Sequence, residues 1–322
     1  MFKLTDFRAY VPNGMKHILK PYFRTIFPNQ LVALVWITFR CNYKCSYCNI
    51  VTKFDFATVS GRETEHSVDD WIQSLEKLPP TLFYFAGGEP FVYSGFPELL
   101  NRLPAKHSLI GVVTNGAVKT DIYRRIKKRV ALNISFHREF VEEDKFVQKV
   151  EELQKHFNVS VNIVATRENM SVLRRLDETF KDKEITLHVD RLFDEGSHYT
   201  AEEEKFLEKF LSVERRAQSD QLDYEDYQPK LCGAGVNYIN IIPNGDVYTC
   251  GGGMEYAHSP LVKGILDHQP GAHFDVNKFK MGNIFDPAFA LNQKRIVCLL
   301  PCRAVCDRDF TTFKRLPQKV AA

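Results

Sequence analysis

What this chain lacks narrows the field before anything it contains. No apolar run approaches the roughly 20 residues that a membrane-spanning helix needs, and "LVALVWITF" (Leu31–Phe39) has the length of a strand. The opening "MFKLTDFRAYVPNGMKHILK" has no apolar h-region followed by small residues, as a secretory signal would. Neither sign of charge dominates: 43 Lys and Arg stand against 40 Asp and Glu, so the balance gives no reason to expect nucleic acid as a partner. Internal repeats and low-complexity segments are absent too. A soluble, cytoplasmic protein without membrane contact is expected. Cysteine is missing from the whole middle of the chain. All 8 fall either at Cys41, Cys45 and Cys48 or at Cys232, Cys250, Cys298, Cys302 and Cys306. Disulfide frameworks belong to small secreted domains, so thiols clustered in this way point to metal or redox chemistry.

With 322 residues, 44% of them hydrophobic, the chain can bury one large core and a smaller one. Its middle alternates two kinds of segment. Short β-branched apolar runs predict strands at Leu31–Phe39, Thr81–Ala86, Leu109–Val113, Ala131–Phe136, Val159–Ala165 and Glu184–Asp190. Amphipathic stretches predict helices at Val68–Leu78 (capped by Ser67), Phe96–Leu103, Thr120–Lys128, Glu143–Phe157 and Ser171–Phe180. Six β/α units imply an α/β fold with a parallel sheet and helical crossovers, its reactive groups on loops at the strands' C-terminal ends. The first three cysteines follow the first strand and fall on that rim. A capping box at Thr200 and Glu203 opens a linking helix over Tyr199–Gln218. The division expected is an amphipathic extension over 1–30, a core over 31–195, a linker over 196–230 and a cysteine-bearing domain over 231–322. The extension has an apolar stripe from Met15 to Phe27, interrupted by Pro21, and is expected to pack on its own core.

"RCNYKCSYCN" (Arg40–Asn49) spaces three cysteines as C-x3-C-x2-C. A structural zinc site is closed by four protein ligands, and iron–sulfur cubanes ordinarily take four thiolates. Three thiols on one loop would leave one iron open to another ligand. The spacing, with Tyr47 before the last cysteine, resembles the radical S-adenosylmethionine (SAM) superfamily. So does "FAGGEPF", which carries that family's G-G-E-P turn at Gly87, Gly88, Glu89 and Pro90, and so does "VVTNG", with Thr114 and Asn115. The resemblance covers residues 31–190 and implies a partial (β/α)6 TIM-like barrel. It also implies a 4Fe-4S cluster on Cys41, Cys45 and Cys48, with SAM on the open iron and the SAM amino group at the G-G-E-P turn. Ser135 would contact the ribose. Tyr47 and Arg167 are further candidates for cofactor contact. His137 departs from the pattern, standing where the family often has Asp. Glycine would let the turn's backbone approach a ligand closely.

From Cys232 to Cys250 the chain reads as a hairpin around Asn244-Gly245. That spacing, and "MGNIF" at Met281–Phe285, resembles the family's SPASM and twitch extensions, which carry auxiliary iron–sulfur clusters. Five cysteines cannot complete two clusters at four thiolates each, so one auxiliary 4Fe-4S cluster is expected in a small domain of β-hairpin and helix. Its expected ligands are Cys232, Cys250, Cys302 and Cys306. Cys298 is then left over, as either a hydrogen-atom donor to a substrate radical or a small buried hydrophobe; Cys302 is an alternative for that role. One zinc ion is another reading of the group.

The resemblance implies reductive cleavage of SAM to a 5′-deoxyadenosyl radical, which takes a hydrogen atom from a substrate. The activity expected is that of an oxidoreductase or epimerase, with flavodoxin or ferredoxin as electron donor. A small molecule such as a sugar is the preferred substrate, because the segment ahead of the core is too short for a peptide-recognition domain. A peptide or protein substrate is the alternative, and a non-enzymatic iron–sulfur or zinc module the distant one.

Overall fold

The computed structural model describes residues 30–48, 65–192, 199–210, 230–259, 278–298 and 313–315. The expected N-terminal helix, residues 211–218 of the linking helix, Cys302 and Cys306 lie outside these. Six strands, β1 (Leu31–Trp36), β2 (Thr81–Ala86), β3 (Ser108–Thr114), β4 (Ala131–Phe136), β5 (Asn158–Ala165) and β6 (Thr186–Arg191), pair in order and in parallel. Helices α1 (Val68–Glu76), α2 (Phe96–Arg102), α3 (Thr120–Arg124), α4 (Glu143–Gln154) and α5 (Arg167–Asp182) connect them, and α6 (Ala201–Glu208) follows β6. This is the partial β/α barrel expected.

Strand alternation sorts the residues of the sheet. One face presents Ala33, Val35, Phe83, Phe85, Leu132, Ile134, Val161 and Ile163 to the helices, in a core that Trp71, Leu99, Phe146 and Leu176 complete from the helical side. The opposite face changes character across the sheet. On β1, β2 and β3 it is apolar, with Val32, Leu34, Leu82, Ala86 and Ile110. On β4 to β6 it carries Asn133, Ser135, Ser160, Asn162 and Asp190. There Asn133 donates to Ser160 Oγ at 3.0 Å, and Asn162 donates to Asp190 at 3.1 Å.

Several boundaries differ from expectation for local reasons. Strand β1 stops at Trp36 because its ladder partner β2 ends at Ala86, where the glycine turn begins. Helix α3 stops at Arg124 because Asn101 intercepts the backbone beyond it. The Asn101 side chain donates to the Arg125 carbonyl (2.8 Å) and accepts from the Lys127 N–H (2.7 Å). Helix α5 starts four residues before Ser171, since Thr166 caps it by accepting from the Asn169 N–H. The capping boxes at Ser67 with Asp70 and at Thr200 with Glu203 both form.

The hairpin around Asn244-Gly245 corrects the picture of a self-contained C-terminal unit. Strands β8 (Tyr238–Ile241), β9 (Asp246–Tyr248) and β10 (Lys280–Asn283) continue the main sheet, because β8 pairs in parallel with β1. The resulting nine-stranded order is β10-β9-β8-β1-β2-β3-β4-β5-β6. Ile239 and Ile241 enter the main core with no exposed surface. Among the described residues, β7 (Lys230–Cys232), β11 (Ile296–Cys298) and β12 (Phe313–Arg315) form a separate small sheet, ordered β11-β7-β12. Helix α7 (Gly251–His258) follows β9. Because β8 shares the core of β1, Ile239→Ala is expected to lower the main urea-unfolding transition by about 2–5 kcal/mol. A loss confined to a separate, earlier transition would contradict this continuity.

Candidate functional site

The rim at the C-terminal ends of β1 to β4 carries the first three cysteines, and backbone contacts hold their loop in place. The G-G-E-P turn after β2 lies flat against the chain leaving β1: the Gly88 N–H donates to the Thr38 carbonyl at 2.8 Å, and the Glu89 N–H to the Arg40 carbonyl at 2.9 Å. A Cβ on Gly87 would stand 2.4 Å from the Thr38 oxygen, and one on Gly88 would stand 2.3 Å from the Arg40 oxygen. These glycines are required by the chain's own approach to the cysteine loop. The expected reason, approach of the turn's backbone to a ligand, did not include this packing. Pro90 opens a short 3-10 turn, with Glu89 as its cap.

Glu89 is fully buried. Its Oε1 accepts from Thr114 Oγ1 at 2.8 Å and the Phe91 N–H at 3.1 Å, and its Oε2 from the Asn115 N–H at 2.6 Å. Burial nevertheless outweighs these bonds and pushes its carboxyl up to about 7. Asn115 reaches on to the cysteine loop, where its Nδ2 donates to Asn42 at 2.8 Å and lies 3.8 Å from Cys41 Sγ. Tyr123, buried behind the rim, hydrogen-bonds Thr114 at 2.9 Å. On the far side of the loop, His137 Nδ1 lies 3.2 Å from Cys45 Sγ and 3.0 Å from Tyr47 Oη. Glu139 accepts from the Ser46 N–H at 3.1 Å and from Ser46 Oγ at 2.9 Å.

The three thiols suit a cationic cluster. Burial, and the neighbouring Cys48 and Cys41, push Cys45 up to about 12, and burial raises Cys41 as well. Three thiolates here would repel one another until positive iron neutralises them. Among the described residues, no group of three or more His, Cys, Asp or Glu side chains is spaced to hold a single metal ion. A cubane is larger than an ion and takes its thiolates at wider separation.

Not every candidate from the sequence joins this site. Cys41, Cys45, Cys48, Tyr47, Gly87, Gly88, Glu89, Pro90, Thr114 and Asn115 come together at the rim. Ser135 lies half-buried on the polar face of β4, in register with Asn162. Arg167 instead opens α5 and pairs with Glu203 at 2.6 Å on the surface. Asn42, Tyr123 and Glu139 had no signal in the sequence, since nothing in residue type or spacing marks them. His137 stood out only as a departure.

A second group lies at the small sheet. Cys232 and Cys298 are buried in one cluster with Ala234, Tyr256 and Phe279, and Cys250 packs against it. Strand pairing accounts for the approach: Ile296 of β11 pairs with Cys232 of β7, and Cys298, two residues on, is its diagonal neighbour. Cys250 caps α7, its sulfur accepting from the Gly253 N–H at 3.2 Å, and Cys232 Sγ lies 3.4 Å from the Ala234 N–H. Both sulfurs therefore face N–H donors, as suits thiolates. None of the described cysteines is in a disulfide.

Comparison with known proteins agrees with this geometry. Residues 36–171 match the family described as "Radical SAM superfamily". The mycofactocin maturase MftC of Mycolicibacterium smegmatis is 26% identical over 254 residues, covering 68% of this chain and 64% of the relative. The antilisterial bacteriocin subtilosin biosynthesis protein AlbA of Bacillus subtilis is 25% identical over 260 residues, covering 70% of this chain and 55% of the relative. This chain thus spans less than two thirds of the length of either. Among solved structures, Streptococcus suis SuiB matches in fold with a TM-score of 0.52 at 16% identity, over 75% of this chain and 65% of that one. SuiB has been solved bound to S-adenosylmethionine and to the precursor peptide SuiA. The superfamily implies a 4Fe-4S cluster and SAM as cofactors.

The packing yields a direct test. Gly88→Ala is expected to displace the cysteine loop and to cut the iron bound at Cys41, Cys45 and Cys48 by at least half, measured as iron and sulfide per chain after anaerobic reconstitution. Full loading would mean that the turn does not position the loop.

Proposed function

We propose that this chain, whose residues 36–171 match the radical SAM superfamily, modifies a peptide. The observation that carries the cofactor half of this reading is the loop of three thiols, buttressed by the G-G-E-P turn on one side and by β4's loop on the other. When bound there, the cluster and SAM together supply one-electron cleavage of the sulfonium and a 5′-deoxyadenosyl radical. Cys41, Cys45 and Cys48 would hold the cluster. Glu89, the buried acid of the turn, receives the SAM ammonium. Tyr47 and Ser135 would meet the nucleoside. The apolar half of the concave face excludes water from the reacting carbon, and Asn133, Ser135, Ser160 and Asn162 offer amide and hydroxyl groups to a polar chain. Flavodoxin or ferredoxin is the class of electron donor required.

The relatives favour a peptide over the small molecule preferred from the sequence. One is a maturase, another takes part in bacteriocin biosynthesis, and the fold neighbour binds a precursor peptide. The asparagine-rich half of the concave face supports the same choice, since amides match a peptide backbone in both donors and acceptors. The decisive experiment is anaerobic incubation with SAM, dithionite and candidate peptides deuterated at side-chain carbons. Deuterium carried into 5′-deoxyadenosine from a peptide, and not from sugars, is expected. Failure to form any 5′-deoxyadenosine would end the enzymatic reading.

The second cysteine group is proposed to hold one auxiliary cluster, with Cys298 moved into its ligand set. Burial beside Cys232 and Cys250 suits a ligand better than a hydrogen-atom donor, which must meet a substrate. Cys302 or Cys306 would supply the remaining thiolate. Wild-type protein is expected to bind about eight irons per chain. Cys298→Ala should lose about four of them; full iron with lost turnover would restore the donor role.

SAM binding should also move a proton. The Glu89 carboxyl is raised above its ordinary value, so the folded protein takes up a proton there, and that contribution to stability is lost as pH rises from about 4.5 to about 7. An arriving ammonium favours the carboxylate. Binding near pH 7 should therefore release roughly half a proton, read by calorimetry in buffers of different ionisation enthalpy, and Glu89→Gln should abolish the release.

A further inference from the structure

The loop between β4 and α4 grips the cysteine loop through side chains that the cofactor assignment does not use. His137 Nδ1 stands between two groups, 3.2 Å from Cys45 Sγ and 3.0 Å from Tyr47 Oη. The imidazole is sandwiched as well, with Tyr47 stacked beside it (ring centroids 6.1 Å apart, planes 17° apart) and Tyr43 meeting it edge-on at 5.7 Å. Phe140 stacks on the outer face of Tyr43 at 4.5 Å. Glu139 holds both the backbone and the hydroxyl of Ser46, next to Cys45. Arg138 ties the gripping loop to α5 through the Glu168 carbonyl (2.5 Å) and Ser171 Oγ (2.8 Å). The ring thus has little freedom to turn away from the sulfur.

The chemistry follows from what each partner can do. A free thiol can donate to Nδ1, but a thiolate bound to iron can only accept, and the short contact then requires the proton on Nδ1. An imidazole carrying its proton on Nδ1 meets that requirement. Hydrogen bonds to cluster sulfurs draw charge from the cluster and favour its reduced state. Resting on the reading that Cys41, Cys45 and Cys48 hold the cluster, we propose that His137 is a positioning residue whose Nδ1–H donates to the Cys45 sulfur and raises the reduction potential of that cluster. Tyr47 shares the same donor, so it weakens the bond to sulfur.

The test is a potentiometric titration of the full-length reconstituted protein followed by electron paramagnetic resonance, tracking the signal that changes when SAM is added. His137→Phe keeps an aromatic ring and removes the donor, and its potential should shift to more negative values. His137→Gln, whose amide N–H reaches toward the same sulfur, should recover much of the shift. Tyr47→Phe leaves His137 with one partner and should shift the potential upward, an arm that remains readable if His137→Phe takes up no cluster. An unchanged potential in fully loaded His137→Phe overturns the proposal. So does an unchanged or lower potential in Tyr47→Phe, and so does an equal negative shift in Glu139→Gln, where the histidine contact is intact. Absence of any SAM-sensitive signal in the wild type would instead overturn the cluster reading itself.

Discussion

The site depends on one backbone-to-backbone contact, that of the Gly88 and Glu89 N–H groups on the carbonyls of Thr38 and Arg40. It fixes the last residues before Cys41 against the turn that carries the buried acid. Everything on the near side of the cysteine loop then follows in a chain, from Glu89 to Thr114 and Asn115, and from Asn115 to Asn42 and the edge of Cys41. Each neutral bond contributes about 1 kcal/mol net, and those to a carboxylate more. Their larger effect is geometric, because a turn without side chains at two positions is the only backbone that fits so close.

On the other side of the loop the support is aromatic and polar. Tyr43, Tyr47, His137 and Phe140 form an aromatic cluster, stacked at its two ends and edge-on between Tyr43 and His137, and Glu139 pins Ser46. The loop is thus held between β2 and β4, with the first strand feeding it from below. Such bracing suits the proposed ligand set, in which burial raises Cys41 and Cys45, since thiols that are to hold iron must stay in place until it neutralises them.

The joining of β8 to β1 connects the two cysteine groups mechanically. Cys250 follows β9, which pairs with β8, which pairs with β1, whose exit leads to Cys41. Cys41 and Cys250, far apart in the chain, are therefore carried by one continuous sheet, while Cys232 and Cys298 lie on the small separate one. The concave face of that sheet is divided along its width, apolar on β1 to β3 and polar on β4 to β6, which sets a dry wall opposite one rich in amide and hydroxyl groups.

Much of this was legible in the residues alone. Alternating apolar runs and amphipathic stretches determined six β/α units, because burial on both faces of a parallel sheet leaves a strong local pattern. The spacing of Cys41, Cys45 and Cys48 determined a shared loop, and the cap at Ser67 and the capping box at Thr200 determined where two helices begin. Tertiary structure decided what local pattern cannot encode. The hairpin's place beside β1 depends on the free edge of a distant strand. The need for Gly87 and Gly88 depends on which backbone approaches them. Arg167 went to Glu203 because the Thr166 cap turned it outward at the start of a helix. Cys298 came into one buried cluster with Cys232 through the pairing of β11 with β7, and His137 came to Cys45 across 92 residues of chain. Periodicity and spacing are short-range properties, whereas the partners of a rim side chain are set by how separate loops meet once the sheet has closed around its core.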